Sequence, residues 1–221
     1  MLSEQTLRKM LPAAGARLDA HLPFIAPAMI KGDIKTPDRI AAFLAHLAHE
    51  SGEYRYMAEI WGPTEAQLGY EGRGDLGNTQ PGDGRKFAGH GPIQVTGRAN
   101  HRACGQALGL DLESDPTLIT RPEHGTASAV WFWTVGNGKI DLNLLADRGW
   151  FKTITRVING GLNGLSDRRQ YWDRNRALLG LPMIDLDLEA EKITAFQRAR
   201  GLTADGVAGP KTFAALRAAA A

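Results

Sequence analysis

The chain has 221 residues, 43% hydrophobic and 23% charged, an ordinary globular composition long enough for one sizeable domain plus a small appendage, and this excludes disorder. No run of about 18 apolar residues occurs, which excludes a transmembrane helix, and the lone Cys104 excludes both an intramolecular disulfide and a cysteine-rich zinc site. A formal net charge of +2 is too weak to imply nucleic acid but is compatible with an anionic polymer as partner.

In chain order, Leu2, Leu7, Met10, Leu11 and Leu18 form a loose helical stripe over 3–18, with Ser3 as its cap. Glu4 lies where a secretory signal needs basic residues, and Arg17, Asp19 and His21 interrupt the apolar run, so no signal peptide is expected. Thr36-Pro37-Asp38 opens the next helix with an N-cap, a proline at the first position and an acid in the first turn. Ile40, Phe43, Leu44 and Leu47 give it helical spacing, and it runs to about Glu50, where Ser51-Gly52 weakens it. Glycine accounts for 26 residues. They cluster between Gly62 and Gly109, and Gly, Pro, Asp and Asn dominate 62–91, a long loop of the kind that is usually functional. Helical patterning resumes near 93–108, 122–135, 149–158 and 166–179, and strand alternation is almost absent, so the expected fold is mainly α. Leu181-Pro182-Met183 breaks the pattern. A first domain is therefore expected over 1–182 and a small helical module over 186–221, built as a helix, a turn at 201–209 and a short helix from Pro210.

The sharpest local motif is His46-Leu47-Ala48-His49-Glu50-Ser51-Gly52-Glu53, followed by Glu59. A carboxylic acid desolvated at the end of a buried apolar helix stays protonated near neutrality, as a general acid requires, and a second carboxylate nearby activates a water. An inverting glycosidase needs the two roughly 6.5–9.5 Å apart. Nine residues of unbroken helix would rise about 13.5 Å and put Glu50 and Glu59 on opposite faces, so the pair works only if the helix ends after Glu50. The bland alternative is two solvated acids. A zinc site on His46, His49 and Glu50 is disfavoured, because the order is His-x-x-His-Glu rather than His-Glu-x-x-His and no clear third ligand follows; a packed or hydrogen-bonded histidine pair is the expected reading.

Gly89-His90-Gly91-Pro92-Ile93-Gln94-Val95-Thr96-Gly97-Arg98-Ala99-Asn100 combines glycines that allow close approach with Gln94, Thr96 and Asn100, uncharged groups suited to sugar hydroxyls and amides. A strand-like or turn segment is needed to align Gln94 with Thr96; an ordinary Gly-rich loop is the alternative. Ala129-Val130-Trp131-Phe132-Trp133 reads mostly as core, with one indole free to stack on a sugar. In Val157-Ile158-Asn159-Gly160-Gly161, Asn159 is either a helix terminus or a ligand for substrate or water. In Asp167-Arg168-Arg169-Gln170-Tyr171, Arg168 is either a surface charge paired with Asp167 or Asp173, or the holder of a catalytic carboxylate.

Taken in order, His49-Glu50-Ser51-Gly52, Gly89 to Thr96, Trp131-Phe132-Trp133, Ile158-Asn159-Gly160-Gly161 and Asp167-Arg168 resemble the family 19 glycoside hydrolases, the plant-type chitinases and related phage endolysins. Tyr70-Glu71-Gly72-Arg73 and Asp75-Leu76-Gly77-Asn78-Thr79-Gln80-Pro81-Gly82-Asp83-Gly84 are most similar to the phage branch. The resemblance spans about 35–180 and implies a lysozyme-like, mainly α domain with a sugar cleft. It implies Glu50 as general acid, Glu59 as general base and Thr96 as the residue orienting the attacking water, with His49, Gln94, Asn100 and Asn159 binding substrate and Arg168 tuning the carboxylates. Glu71 competes with Glu59 for the base role, and His90 stands where arginine is common. Phe196 to Thr212, with Asp205-Gly206 at its turn, resembles the second half of a peptidoglycan-binding module, which shifts the expected substrate from chitin to peptidoglycan. The implied protein is a monomeric endolysin that needs no metal or cofactor, binds peptidoglycan glycan strands and neither nucleic acid nor membrane, and reaches the wall from the bacterial cytoplasm by holin-type release or injection. A chitinase of the same mechanism and a non-catalytic wall-binding protein are the alternatives.

Overall fold

Regular structure in the computed structural model is helical, and among the described residues, 2–220, the only extended pairing is isolated bridges; Met1 and Ala221, the outer ends of the two expected domains, lie outside the described residues. The helices are α1 (Glu4–Met10), α2 (Arg17–Lys31), α3 (Pro37–Ser51), α4 (Glu65–Leu68), α5 (Asp83–Lys86), α6 (Arg98–Leu108), α7 (Pro122–Trp131), α8 (Asn143–Ala146), α9 (Phe151–Asn159), α10 (Leu165–Leu178), α11 (Glu189–Ala199) and α12 (Pro210–Ala220). The chain packs as two units. One is the chain up to Asp33 with Leu47–Phe132; the other is Ile34–His46 with the chain from Trp133 onward. No helix among the described residues is long and apolar enough to cross a membrane.

In the first unit Ser3 caps α1, its hydroxyl accepting the Thr6 N–H at 3.1 Å. The single helix expected over 3–18 is in fact two. Leu11 precedes Pro12 and leaves the helical region at φ −123°, ψ 63°, as a residue before proline is driven to do, and Gly15 turns the chain at φ +54°. The second piece, α2, then continues well past 18. Pro23 and Pro27 each withhold a ladder N–H, but the face of Leu18, Ile25, Ala28 and Met29 is buried, and α2 packs along α7. Helix α6 begins at Arg98 rather than near 93, because Gln94 (φ +55°) and Gly97 (φ +91°) hold left-handed backbone that no α-helix accepts. Val95 anchors this loop in a core of Cys104, Leu112, Ile119 and Trp131.

The glycine-rich stretch is built rather than bare: it holds α4, a 3₁₀ turn at Gly74–Leu76, and α5. The Asn78 amide donates to the Tyr70 carbonyl at 2.9 Å, and its oxygen accepts the Arg98 N–H at 2.9 Å. Arg98 forks onto Asp83 at 2.5 and 2.9 Å and holds that carboxyl below its usual range. Arg102, with Arg98 behind it, holds Glu113 down at about 2. The Asp83 pair ties the loop to the start of α6, and the Glu113 pairs tie α6 to the segment that follows it.

The second unit is centred on aromatic side chains. Phe43 meets Trp133 edge-on at 5.4 Å, and Phe151 stacks on Trp172 at 4.3 Å. His46 is a packed histidine: Nδ1 donates to the Ala42 carbonyl at 2.9 Å, Nε2 lies 3.1 Å from the Thr155 hydroxyl, and the ring sits 4.5 Å from Phe151. The C-terminal segment forms the expected helix–turn–helix within this unit. Glu189, at the start of α11, accepts the Lys152 and Thr153 N–H groups at 2.7 Å each, capping α9. Phe196 meets Trp150 edge-on at 5.7 Å.

Candidate active site

Glu50 sits in the last turn of α3, half-buried beside His49. The termination that the carboxylate pair demands is present, and it has a physical cause. Gly52 takes the left-handed conformation (φ +55°), its N–H donates to the His49 carbonyl at 3.3 Å, and the Glu53 N–H reaches back to the Ala48 carbonyl at 2.9 Å. That paired closure is the Schellman motif, which glycine at this position favours. Glu53 and Tyr54 continue in left-handed backbone (φ +56° and +63°), an arrangement that needs external support. The support is side-chain anchoring. The Glu53 carboxylate accepts the Ala14 N–H at 2.8 Å, the Tyr54 hydroxyl bonds Thr126 at 2.9 Å, and the Tyr54 ring stacks on His21 at 4.1 Å.

Past this turn the chain runs extended into the glycine loop. Antiparallel bridges join Ala58 to His90 and His90 to Val95, which places Glu59, Gly89 and Thr96 in one row. Two strand spacings, about 9.6 Å, separate the outer members of that row. The middle member has no side chain, and a Cβ there would lie 2.5 Å from Oε1 of Gln94. Gln94 therefore fills the space over Gly89, its Nε2 donating to the Gly91 carbonyl at 2.9 Å and the Tyr56 carbonyl at 3.3 Å. The required turn segment thus brings Gln94 and Thr96 together with Glu59. The Thr96 hydroxyl gives its hydrogen to the Gln94 carbonyl at 3.0 Å, so its oxygen faces any ligand as an acceptor. Asn100, exposed in the first turn of α6, donates to the Thr96 carbonyl at 2.7 Å.

The Glu59 carboxylate is cradled by donors: Gln67 Nε2 at 2.9 Å, the Gly89 N–H at 3.0 Å and the Tyr70 hydroxyl at 3.4 Å. Burial, with Glu59 adding to it, pushes the Tyr70 phenol up, so it remains a donor. Gln67 is not among the residues that the sequence motifs single out. Its Oε1 accepts the Gly62 and Thr64 N–H groups at 3.1 and 2.8 Å, which forces its Nε2 toward Glu59. The signal was present as Thr64-x-x-Gln67, a capping box at the start of α4. Glu71, the rival base, is placed otherwise. Its two oxygens accept the Gly82 and Gly84 N–H groups at 2.7 and 2.8 Å, anchoring the start of α5.

His90 and His101 form a buried pair, Nδ1 to Nε2 at 3.2 Å, with His101 Nδ1 donating to the Gly97 carbonyl at 2.9 Å. Burial lowers both, His101 to about 4. His90 is thus a neutral strut under the Gly89–Thr96 loop. In the second unit Asn159 is the exposed last residue of α9, and Gly160 supplies the left-handed cap. Arg168, on α10, is 0% exposed, so it is not the surface charge that Asp167 and Asp173 as partners would imply.

A family model described as chitinase class I matches residues 15–141, and one described as a putative peptidoglycan binding domain matches residues 190–216. An Arabidopsis thaliana endochitinase is 37% identical over 123 residues, 55% of this chain and 39% of that protein. A glycosyl hydrolase family 19 domain-containing protein of Haemophilus influenzae is 29% identical over 196 residues, 76% of this chain and 92% of that one. Among solved structures, chitinase C from Streptomyces griseus superimposes with a TM-score of 0.67 at 26% identity, covering 83% of this chain and 79% of its own. The matches to the first three curated relatives, all Arabidopsis endochitinases, span only 39–44% of those proteins' length.

Proposed function

Because the chain belongs to the class I chitinase family, the family 19 glycoside hydrolases, we propose that it cleaves the β-1,4 bond between N-acetylmuramic acid and N-acetylglucosamine in peptidoglycan, with inversion. The observation that carries the substrate is the peptidoglycan-binding match at residues 190–216 in the same chain. In this reading Glu50 gives its proton to the leaving glycosidic oxygen. A water attacks the anomeric carbon from the opposite face, giving one proton to Glu59 as the glycosidic bond breaks. Thr96, whose hydroxyl hydrogen is already committed to Gln94, accepts the water's other hydrogen and so orients it. Glu59 is preferred to Glu71 because its carboxylate lies in the Gly89–Thr96 row and has acceptor capacity beyond its three donors. Asn100 holds the Thr96 backbone. His49, Gln94, Asn100 and Asn159 contact sugar, and Arg168 tunes the carboxylates. The biological role that fits is that of a monomeric endolysin made in a bacterial cytoplasm and delivered to the wall.

A chitinase of the same mechanism is the second reading, favoured by the names of the similar proteins. Mass spectrometry of purified peptidoglycan digested by the wild type and by Glu50→Gln separates the two. The expected result is new reducing ends at N-acetylmuramic acid, reduced about 10²–10⁴-fold in the variant. Intact sacculi together with cleaved chitin oligomers would favour the chitinase. Intact glycan with cut stem peptides would overturn the glycosidase reading.

A further inference from the structure

Within the second unit, α9, the 138–139 turn and the C-terminal segment line a half-open cavity of about 450 Å³. Its apolar surface is Val157, Pro210 and Phe213, and its rim carries Lys139, Arg156 and Arg217, with no acidic residue among those lining it. Arg217 is pinned in place, its Nη1 donating to the Lys139 carbonyl at 2.7 Å. Arg156 also attracts the Glu189 carboxylate, but that group is engaged by Lys152 and Thr153. Gly209 and Pro210 open α12 onto the same space, so the positive end of a helix dipole adds to the cations. Val207, 63% exposed, leaves an apolar side chain at the cavity. The volume falls within the range of small-ligand sites.

We propose that this cavity binds the stem peptide of peptidoglycan. The assignment rests on the peptidoglycan reading above. A stem peptide presents free carboxylates to the three cations and alanine methyl groups to the apolar surface. A polyol-phosphate wall polymer satisfies the cations but has nothing to set against Val157, Pro210 and Phe213. The cavity joins residues of the wall-binding match, Val207 to Phe213, to residues of α9 outside it, so this short segment obtains a binding surface by packing on its neighbour.

The test is calorimetric titration of the full chain with a synthetic stem tetrapeptide at low salt. Arg156→Glu and Lys139→Glu, both exposed positions, are expected to weaken binding at least about tenfold, the scale of one charge-assisted contact. Lys31→Glu, the same charge change in the first unit, is expected to leave it unaltered. Amidating the peptide carboxylates is expected to weaken binding as the rim variants do. Absence of tetrapeptide binding, equal affinity in the rim variants, or tighter binding of a glycerol-phosphate oligomer at the same residues would each overturn the proposal. Tetrapeptide binding without hydrolysis of sacculi would leave the cavity assignment standing and remove the muramidase reading. Hydrolysis with tetrapeptide affinity unmoved by the rim variants would do the reverse.

Discussion

Gln67 shows how one buried amide sets the geometry of a neighbouring acid. Its oxygen is taken by two backbone N–H groups and its nitrogen by Glu59 and the Ile60 carbonyl, so it has no freedom to turn. Two substitutions separate fastening from positioning. Gln67→Leu leaves the Gly62 and Thr64 amides without their acceptor and is expected to cost about 1–3 kcal/mol, visible as a lowered Tm in calorimetry. Gln67→Glu keeps a capping acceptor but removes the donor and sets a second carboxylate against Glu59. It is expected to melt close to the wild type, while kcat on peptidoglycan falls and the acid limb of the rate profile moves to higher pH. Equal kcat in the two proteins would show that Gln67 only fastens the loop. The capping box that contains Gln67 is visible in the sequence. That the same side chain reaches Glu59 is not, because the contact depends on how the extended segment after Tyr54 folds back.

Helix ends carry much of the candidate site. The carboxylate pair demands that α3 stop after Glu50, and Gly52 accomplishes it through a left-handed closure that a side chain would resist twice. Its φ is +55°, and a Cβ would lie 2.9 Å from the Tyr56 ring. The stretch at 3–18 has the converse lesson: a helical stripe of apolar side chains continues across Pro12, but the helical backbone before the proline does not. At the other end of the chain, the docking of α11 rests on Glu189. Burial raises its carboxyl above the ordinary range, opposed by the Thr153 hydroxyl and the Lys152 and Thr153 amides. Glu189→Ala uncaps α9 and strands those amides, and is expected to cost about 1–3 kcal/mol by urea denaturation. Hydrogen exchange in such a variant should rise at the start of α9 and in α11 together; unchanged protection in both would show that α11 docks without this cap.

Acid sensitivity belongs to the folded chain as a whole. In the unfolded chain a histidine takes its proton near 6.5, whereas His101 is held at about 4 by burial, with His90 acting in the same direction and the Gly97 carbonyl opposing. Unfolding therefore binds a proton between those two values. The His101 contribution to stability is level above about pH 6.5 and is lost as pH drops toward 4, by an amount on the order of 3 kcal/mol. Urea midpoints at pH 7 and pH 4.5 test this, and His101→Asn should show the shallower decline; equal declines would place the acid-sensitive group elsewhere.

The residues and their order were enough to establish the mainly α class, the helix caps, the break after Glu50, the family resemblance and the C-terminal helix–turn–helix, because these follow from periodicity, capping chemistry and short motifs that act over a few neighbouring residues. The row of Glu59, Gly89 and Thr96, the diversion of Glu71 to α5, the burial of Arg168 and the cationic cavity beside α9 join residues far apart along the chain. The first three exist because backbone amides and charges taken out of water must find partners wherever the folded chain brings them, the cavity because α9 packs against the C-terminal segment, and local sequence records neither.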